Sequence, residues 1–139
     1  MALPDDHDLR ALLAAARTIA VVGLSSNPDR PSFQVAKYLQ AVGYLIIPVH
    51  PAVREVLGEK AYASLEEIPD RVDIVDVFRR SEQTPEVARS AVAIGARALW
   101  LQEGITNAQA EETASRAGLL VVSDRCLLKE HRRLLGGIK

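Results

Sequence analysis

The sequence predicts an α/β domain: a Rossmann-like, doubly wound, mainly parallel five-stranded sheet flanked by helices. Five short apolar runs rich in β-branched residues recur along its 139 residues. Each is almost continuously hydrophobic instead of alternating with polar residues, the pattern of strands covered on both faces. Amphipathic segments with helix start and stop signals separate them, so strand and helix alternate as in a parallel sheet built from crossover units.

The elements follow in order. An amphipathic helix is expected over residues 6–16, then a strand in TIAVVGL at 18–24. Residues 32–42 place Val35, Tyr38, Leu39 and Val42 at helical spacing, with Ser32 as N-cap and Gly43 as a left-handed stop. YLIIPV at 44–49 is the second strand, and residues 50–71 read as one long connection. Within it Ser64-Leu65-Glu66-Glu67 has capping-box spacing, but Pro69 limits it to a short turn. VDIVDVF at 72–78 is the third strand. Thr84 then caps a helix with Pro85 at its first position, an apolar face of Val87, Ala88, Ala91 and Val92, and Gly95 at its end. RALWLQ at 97–102 and GLLVVS at 118–123 are the last strands, with a helix from Asn107 to Gly118 between them. Leu127, Leu128, His131, Leu134 and Leu135 mark a final helix. No repeat, low-complexity tract or linker interrupts the chain, so residues 1–139 are expected to form one domain.

Composition narrows the function. A chain of this length buries a real core but has no room for a separate substrate domain. A charged share of 25% with a formal net charge of -1 argues against bulk nucleic-acid binding. The single cysteine, Cys126, excludes an intramolecular disulfide and clustered thiol ligands, which makes a reducing cytoplasm the expected location. Residues 1–17 lack a basic leader followed by an apolar core, and no apolar run nears the roughly 20 residues of a membrane span. Neither export nor membrane insertion is expected.

A doubly wound sheet binds its ligand beyond the carboxyl ends of its strands, where the strand order reverses. After the first strand comes Gly23-Leu24-Ser25-Ser26-Asn27-Pro28-Asp29-Arg30-Pro31-Ser32, a glycine and a hydroxyl-rich loop leading into a helix. Backbone amides at that start, the hydroxyls of Ser25 and Ser32 and the Arg30 guanidinium suit a phosphate. The alternative, that Gly23 only turns the chain and Ser32 only caps the helix, stands beside it. Arg79 and Arg80 end the third strand, next to the first loop in such a topology. His50 and Arg54 suit a phosphorylated ribose, or are simply polar loop residues.

Two absences restrict the ligand. The second and third glycines of a dinucleotide fingerprint are missing, and the second strand ends in Pro48-Val49-His50-Pro51 without an acid for ribose hydroxyls, which disfavours NAD. The Walker pattern is missing too, which disfavours ATP on a P-loop.

Six ordered motifs together resemble the small stand-alone CoA-binding domain proteins: IAVVGLS, Arg30-Pro31-Ser32, PVHP at 48–51, VFRRSEQTP at 77–85, WLQEGI at 100–105 and VVSDRC at 121–126. These in turn are similar to the N-terminal CoA-binding domain of the succinyl-CoA synthetase α subunit. The resemblance covers almost the whole chain and departs from the family at His50, where asparagine is more usual. It implies coenzyme A as ligand. Gly23, Leu24, Ser25, Arg30, Pro31 and Ser32 would hold the pyrophosphate, and Pro48 to Pro51, His50 included, would border the adenosine. Phe78, Arg79, Arg80 and Thr84 would close over the nucleotide, with Gln102 and Gly104 near the pantetheine arm.

Catalysis is not expected. His7, His50 and His131 lie far apart and lack partners at motif spacing. Cys126, beside Asp124 and Arg125, is either a thiol with a cationic neighbour, open to a mixed disulfide with CoA, or a half-buried cysteine at a helix start. The competing readings are a sensor of CoA or acyl-CoA, a subunit of an acyl-CoA-handling enzyme and, behind these, an NAD(P)-binding protein. Lys129, Arg132, Arg133 and Lys139 against Glu130 form a basic face that suits an acidic partner or nucleic acid, or is equally a solvated helix surface, and a protein partner or a homo-oligomer stays open.

Overall fold

The computed structural model describes residues 4–136. Its main sheet holds five parallel strands, β1 (Thr18–Val22), β2 (Leu45–Val49), β5 (Ile74–Val77), β6 (Ala98–Leu101) and β7 (Leu120–Val122), in the order β2-β1-β5-β6-β7. The chain runs outward from β1 to β2 and returns on the other side of β1 at β5. The strand order therefore reverses between β1 and β5, where an open parallel sheet leaves a crevice.

Helices cover both faces, as the unbroken apolar runs require. On one side α1 (Asp6–Ala15), α2 (Pro31–Ala41) and α5 (Leu127–Leu135) bury Leu9, Leu13, Leu39 and Leu127 against Ile19, Ile46, Ile74 and Trp100. On the other side α3 (Thr84–Ala93) and α4 (Ala108–Arg116) lay Ala88, Ala91, Ala110 and Ala114 over Ala20, Val75, Leu99 and Val77. Among the described residues no helix is long and apolar enough to cross a membrane.

The long connection is more structured than its sequence suggested. Residues Glu55–Val56 (β3) and Glu59–Lys60 (β4) form an antiparallel hairpin around Leu57 and Gly58, both at positive φ as a two-residue hairpin turn requires. Tyr62 then folds back onto β2: its amide donates to the Pro48 carbonyl at 3.0 Å and its carbonyl accepts from His50 at 2.9 Å. The returning chain so satisfies an edge that β2 would otherwise leave open, beside a proline that a sheet tolerates only there. The runs are two residues long and polar outside Val56, too short for period reading.

Three cap assignments also change. The N-cap of α2 is Arg30, with Pro31 in the first turn, so Ser32 sits inside the helix. Gln83 rather than Thr84 precedes α3, because a 3₁₀ turn at Ser81–Gln83 runs straight into it. Ser64 makes no side-chain cap bond to the backbone at the 3₁₀ turn Leu65–Glu67, and its hydroxyl reaches Glu67 Oε2 at 3.4 Å instead. Gly43 turns as expected, with φ +111°.

Candidate functional site

At the reversal point Gly23 is held from both sides. Its amide donates to Val49 O at 2.9 Å, and the Phe78 amide donates to Val22 O at 2.8 Å. A Cβ on Gly23 would lie 2.3 Å from the Phe78 carbonyl oxygen, and its φ is +86°. Close approach and left-handed backbone both demand glycine here. The loop beyond is ordered by its own side chains. Ser25 donates its amide to Ser32 Oγ at 3.0 Å, Asn27 its amide to Ser25 Oγ at 3.0 Å, and Asp29 its amide to Asn27 Oδ1 at 2.9 Å. Arg30 makes no side-chain cap bond, so no side chain caps the first amides of α2. The result is a cleft of about 360 Å³ lined by Gly23, Ser25, Arg30, Pro31, Ser32, His50 and Phe78.

Seven predicted residues thus converge on one cleft, whose chemistry is that of an anion site: a helix N-terminus, hydroxyls and a guanidinium. His50 accepts the Ala52 amide on Nδ1 at 3.0 Å, which fixes its tautomer with the proton on Nε2. The remaining predicted residues divide by role. The Leu24 side chain is wholly buried in the core, leaving only its backbone to the loop. Pro48 lies within β2 and Pro51 is exposed in the turn after it. Thr84 is fully buried and donates its hydroxyl to Ser81 O at 2.7 Å, bracing the third loop from behind.

The two arginines separate. Arg80 is exposed and lines neither cleft. Arg79 borders a second cleft of about 250 Å³ on the α3 side of the same strand ends. Its apolar lining is Val22, Val49, Ala63, Leu65 and Val87, and its polar lining is Ser64, Gln83 and Ser90 with the carboxylates Glu66 and Glu86 beside Arg79.

Beyond β6, Gln102 is almost wholly buried and its Nε2 donates to Asp76 Oδ1 at 2.5 Å. Gly104, with φ +86°, donates its amide to Asp124 Oδ1 at 2.7 Å. Asp76 lies in the middle of central strand β5, completely buried, with Oδ2 unpartnered. Burial pushes its carboxyl up to about 7, the Gln102 hydrogen bond opposing the rise. Sequence reasoning passed over this residue, although an acid inside the apolar run Ile74-Val75-Asp76-Val77 was the visible signal.

The other candidates are spent elsewhere. Cys126 is half-buried at the N-cap of α5. Lys129 pairs with Glu103 at 3.1 Å, while Arg133 grips Asp6 with two bonds of 2.8 Å and also reaches Glu130. The expected basic face is thus largely neutralised within the chain, and Lys139 lies outside the described residues. His7 is exposed on α1, and His131 is buried with Nδ1 2.8 Å from the Tyr38 hydroxyl. Among the described residues no three His, Cys, Asp or Glu side chains gather into a metal-binding group.

Comparison with known proteins finds relatives that span most of the chain. The uncharacterized protein YneT of Bacillus subtilis (strain 168) is 44% identical over 128 residues, 92% of this chain and 95% of YneT. A hypothetical protein from Pyrococcus horikoshii OT3 superposes with a TM-score of 0.93 at 41% identity, over 96% of this chain and 94% of that one. The ADP-forming acetate–CoA ligase II of Archaeoglobus fulgidus is 34% identical over 82 residues, which is 58% of this chain but 12% of the ligase. The CoA binding domain profile matches residues 17–132, and the chain belongs to that family.

Proposed function

We propose that the chain binds coenzyme A or an acyl-CoA across the carboxyl ends of β1, β2 and β5, without catalysis of its own. The observation that carries this reading is the first cleft, where Gly23, Ser25, Ser32 and Arg30 meet at the uncapped start of α2. A pyrophosphate there takes backbone amides, hydroxyls and a guanidinium, each charge-assisted bond contributing on the order of 1.5–3 kcal/mol. The adenine suits the second cleft, over Val22, Val49, Leu65 and Val87, with Arg79 at its rim. Gln102 and Gly104 then border the path of the pantetheine arm. A cytoplasmic setting goes with this ligand and keeps Cys126 reduced.

The similarity to an acetate–CoA ligase favours a second reading, in which the chain serves a CoA-handling enzyme as a subunit or a sensor. Both readings require CoA binding, so that is tested first. Isothermal titration of the reduced protein with CoA, acetyl-CoA, NAD and ATP should give heat with the first two only. An Arg79→Ala, Arg80→Ala double variant should bind CoA several-fold more weakly. Heat with NAD and none with CoA would overturn the proposal in favour of a degenerate dinucleotide site.

A further inference from the structure

Gln102 and Asp76 form a buried pair behind the fourth loop. Asp76 shares a sheet face with Ile74, and its register partners are Val21 on β1 and Trp100 on β6. One of its oxygens accepts from Gln102 Nε2, and the other has no partner. Gln102 Nε2 is therefore turned inward. With Nε2 on Asp76, Oε1 is the end of the Gln102 amide turned away from the carboxyl. We propose that Asp76 is a positioning residue whose protonation decides whether Gln102 offers the ligand arm a carbonyl or an amide, an inference that rests on the CoA-binding reading.

The argument is one of donors and acceptors. A carboxylate only accepts, so an ionised Asp76 holds the Gln102 amide inward and leaves its carbonyl outward. A protonated Asp76 has one hydrogen to donate and an unpartnered oxygen that a buried site penalises. Donating that hydrogen to Gln102 Oε1 reverses the side-chain amide and turns its NH₂ outward. The two amide orientations have nearly the same shape, so packing does not choose between them. Burial brings the Asp76 titration to about 7, which makes both states accessible. The titratable groups packed into this face are Tyr38 on α2, Cys126 at the N-cap of α5, His131 on α5 and Tyr44 just before β2, whereas Asp6, His7, Asp8 and Arg10 on α1, Lys37 on α2 and Lys129, Arg132 and Arg133 on α5 are exposed and half-buried Glu130 is held by Arg133. Tyr38 is bonded to His131 and Tyr44 donates to Leu13 O, and the influences on the Asp76 carboxyl among the described residues are its burial and the Gln102 hydrogen bond. A pantetheine arm carries amides of its own, so its affinity depends on which group Gln102 shows.

Two measurements test this, one without ligand. In ¹⁵N-labelled protein the Gln102 side-chain amide, assigned by its loss in Gln102→Leu, should shift with a midpoint near 7 in the wild type and stay fixed in Asp76→Asn. An amide that does not titrate, or titrates equally in both, overturns the inference whether or not CoA binds. Titration with CoA and with its armless half, adenosine 3′-phosphate 5′-diphosphate, then reads the consequence. The ratio of the two dissociation constants should change roughly fivefold between pH 6 and 8.5, about the worth of one neutral hydrogen bond. Asp76→Asn and Gln102→Leu should each flatten it. A constant wild-type ratio overturns the effect on the arm. Failure of both compounds to bind, with the amide still titrating, overturns the function and the role toward a CoA arm, leaving the hydrogen-bond switch alone.

Discussion

The two faces of the sheet are built differently. Under α1, α2 and α5 the core is made of large side chains, Trp100 and several leucines and isoleucines, and it includes buried Asp76 and His131. Under α3 and α4 the helices contribute alanines, Ala88, Ala91, Ala110 and Ala114, and the strands valines and leucines. Small residues let helix and sheet approach closely, and the one polar side chain that α3 buries, Thr84 at its start, has its hydroxyl bonded to Ser81 O. Among the described residues the two buried side-chain atoms that lack a partner, Asp76 Oδ2 and His131 Nε2, belong to residues of the first face. The layer with bulk tolerates polar inclusions, and the thin layer serves as scaffold.

Opposite substitutions break the two layers. Trp100→Ala removes the largest fully buried side chain and its Nε1 bond to Arg125 O at 2.8 Å. A loss of about 3–5 kcal/mol is expected. Ala88→Leu on the other face should cost about 1–3 kcal/mol by overpacking. Urea unfolding followed by far-ultraviolet circular dichroism reads both, since Trp100 is the only tryptophan. Equal tolerance of Leu at Ala88 and of Ala at Trp100 would show that the layers do not differ in slack.

This asymmetry also explains what the sequence made legible. The five strands and five helices follow from runs long enough for their periods to show, and seven loop residues could be assigned to one cleft because parallel topology says where loops meet. The β3–β4 hairpin escaped because two-residue strands carry no period. Arg79 and Arg80 look equivalent in sequence, yet the 3₁₀ turn at Ser81 separates them, Arg79 to the second cleft and Arg80 to solvent. Asp76 escaped because its role depends on Gln102, a partner 26 residues away that only strand register brings alongside.

Titration should sharpen the contrast, because the first face carries two buried groups with opposite effects. The fold keeps the Asp76 proton to about 7, whereas an unfolded chain releases it near 4. Its contribution to stability is therefore full below about 4 and lost as pH rises through about 7, on the order of 4 kcal/mol over the whole span. Burial lowers His131 below its ordinary 6.5, so its contribution is intact above that value and lost as pH falls beneath it. Between about 4 and 6.5 the two slopes oppose. The wild type should then show a flatter curve of urea midpoint against pH than either variant. Asp76→Asn should lose stability toward acid, and His131→Gln toward neutral pH. Parallel curves for all three proteins would place the titrating groups elsewhere.

The smallest expected effects are the most discriminating, because they separate stability from binding. Asn107 caps α4 by accepting the Ala110 amide at 2.9 Å and donates to Ser81 O at 2.9 Å, whereas α2 starts at Arg30 without a side-chain cap. Asn107→Ala should cost about 1 kcal/mol. Arg30→Asp should do the reverse for the fold, giving α2 an acceptor for its first amides and a negative charge at its positive end, worth about 0.5–1 kcal/mol. The same carboxylate occupies the amides that a pyrophosphate needs and repels it, so CoA affinity should fall by at least tenfold while the urea midpoint rises. If Arg30→Asp gained stability and still bound CoA undiminished, the open end of α2 would be a neglected cap and the phosphates would have to lie elsewhere.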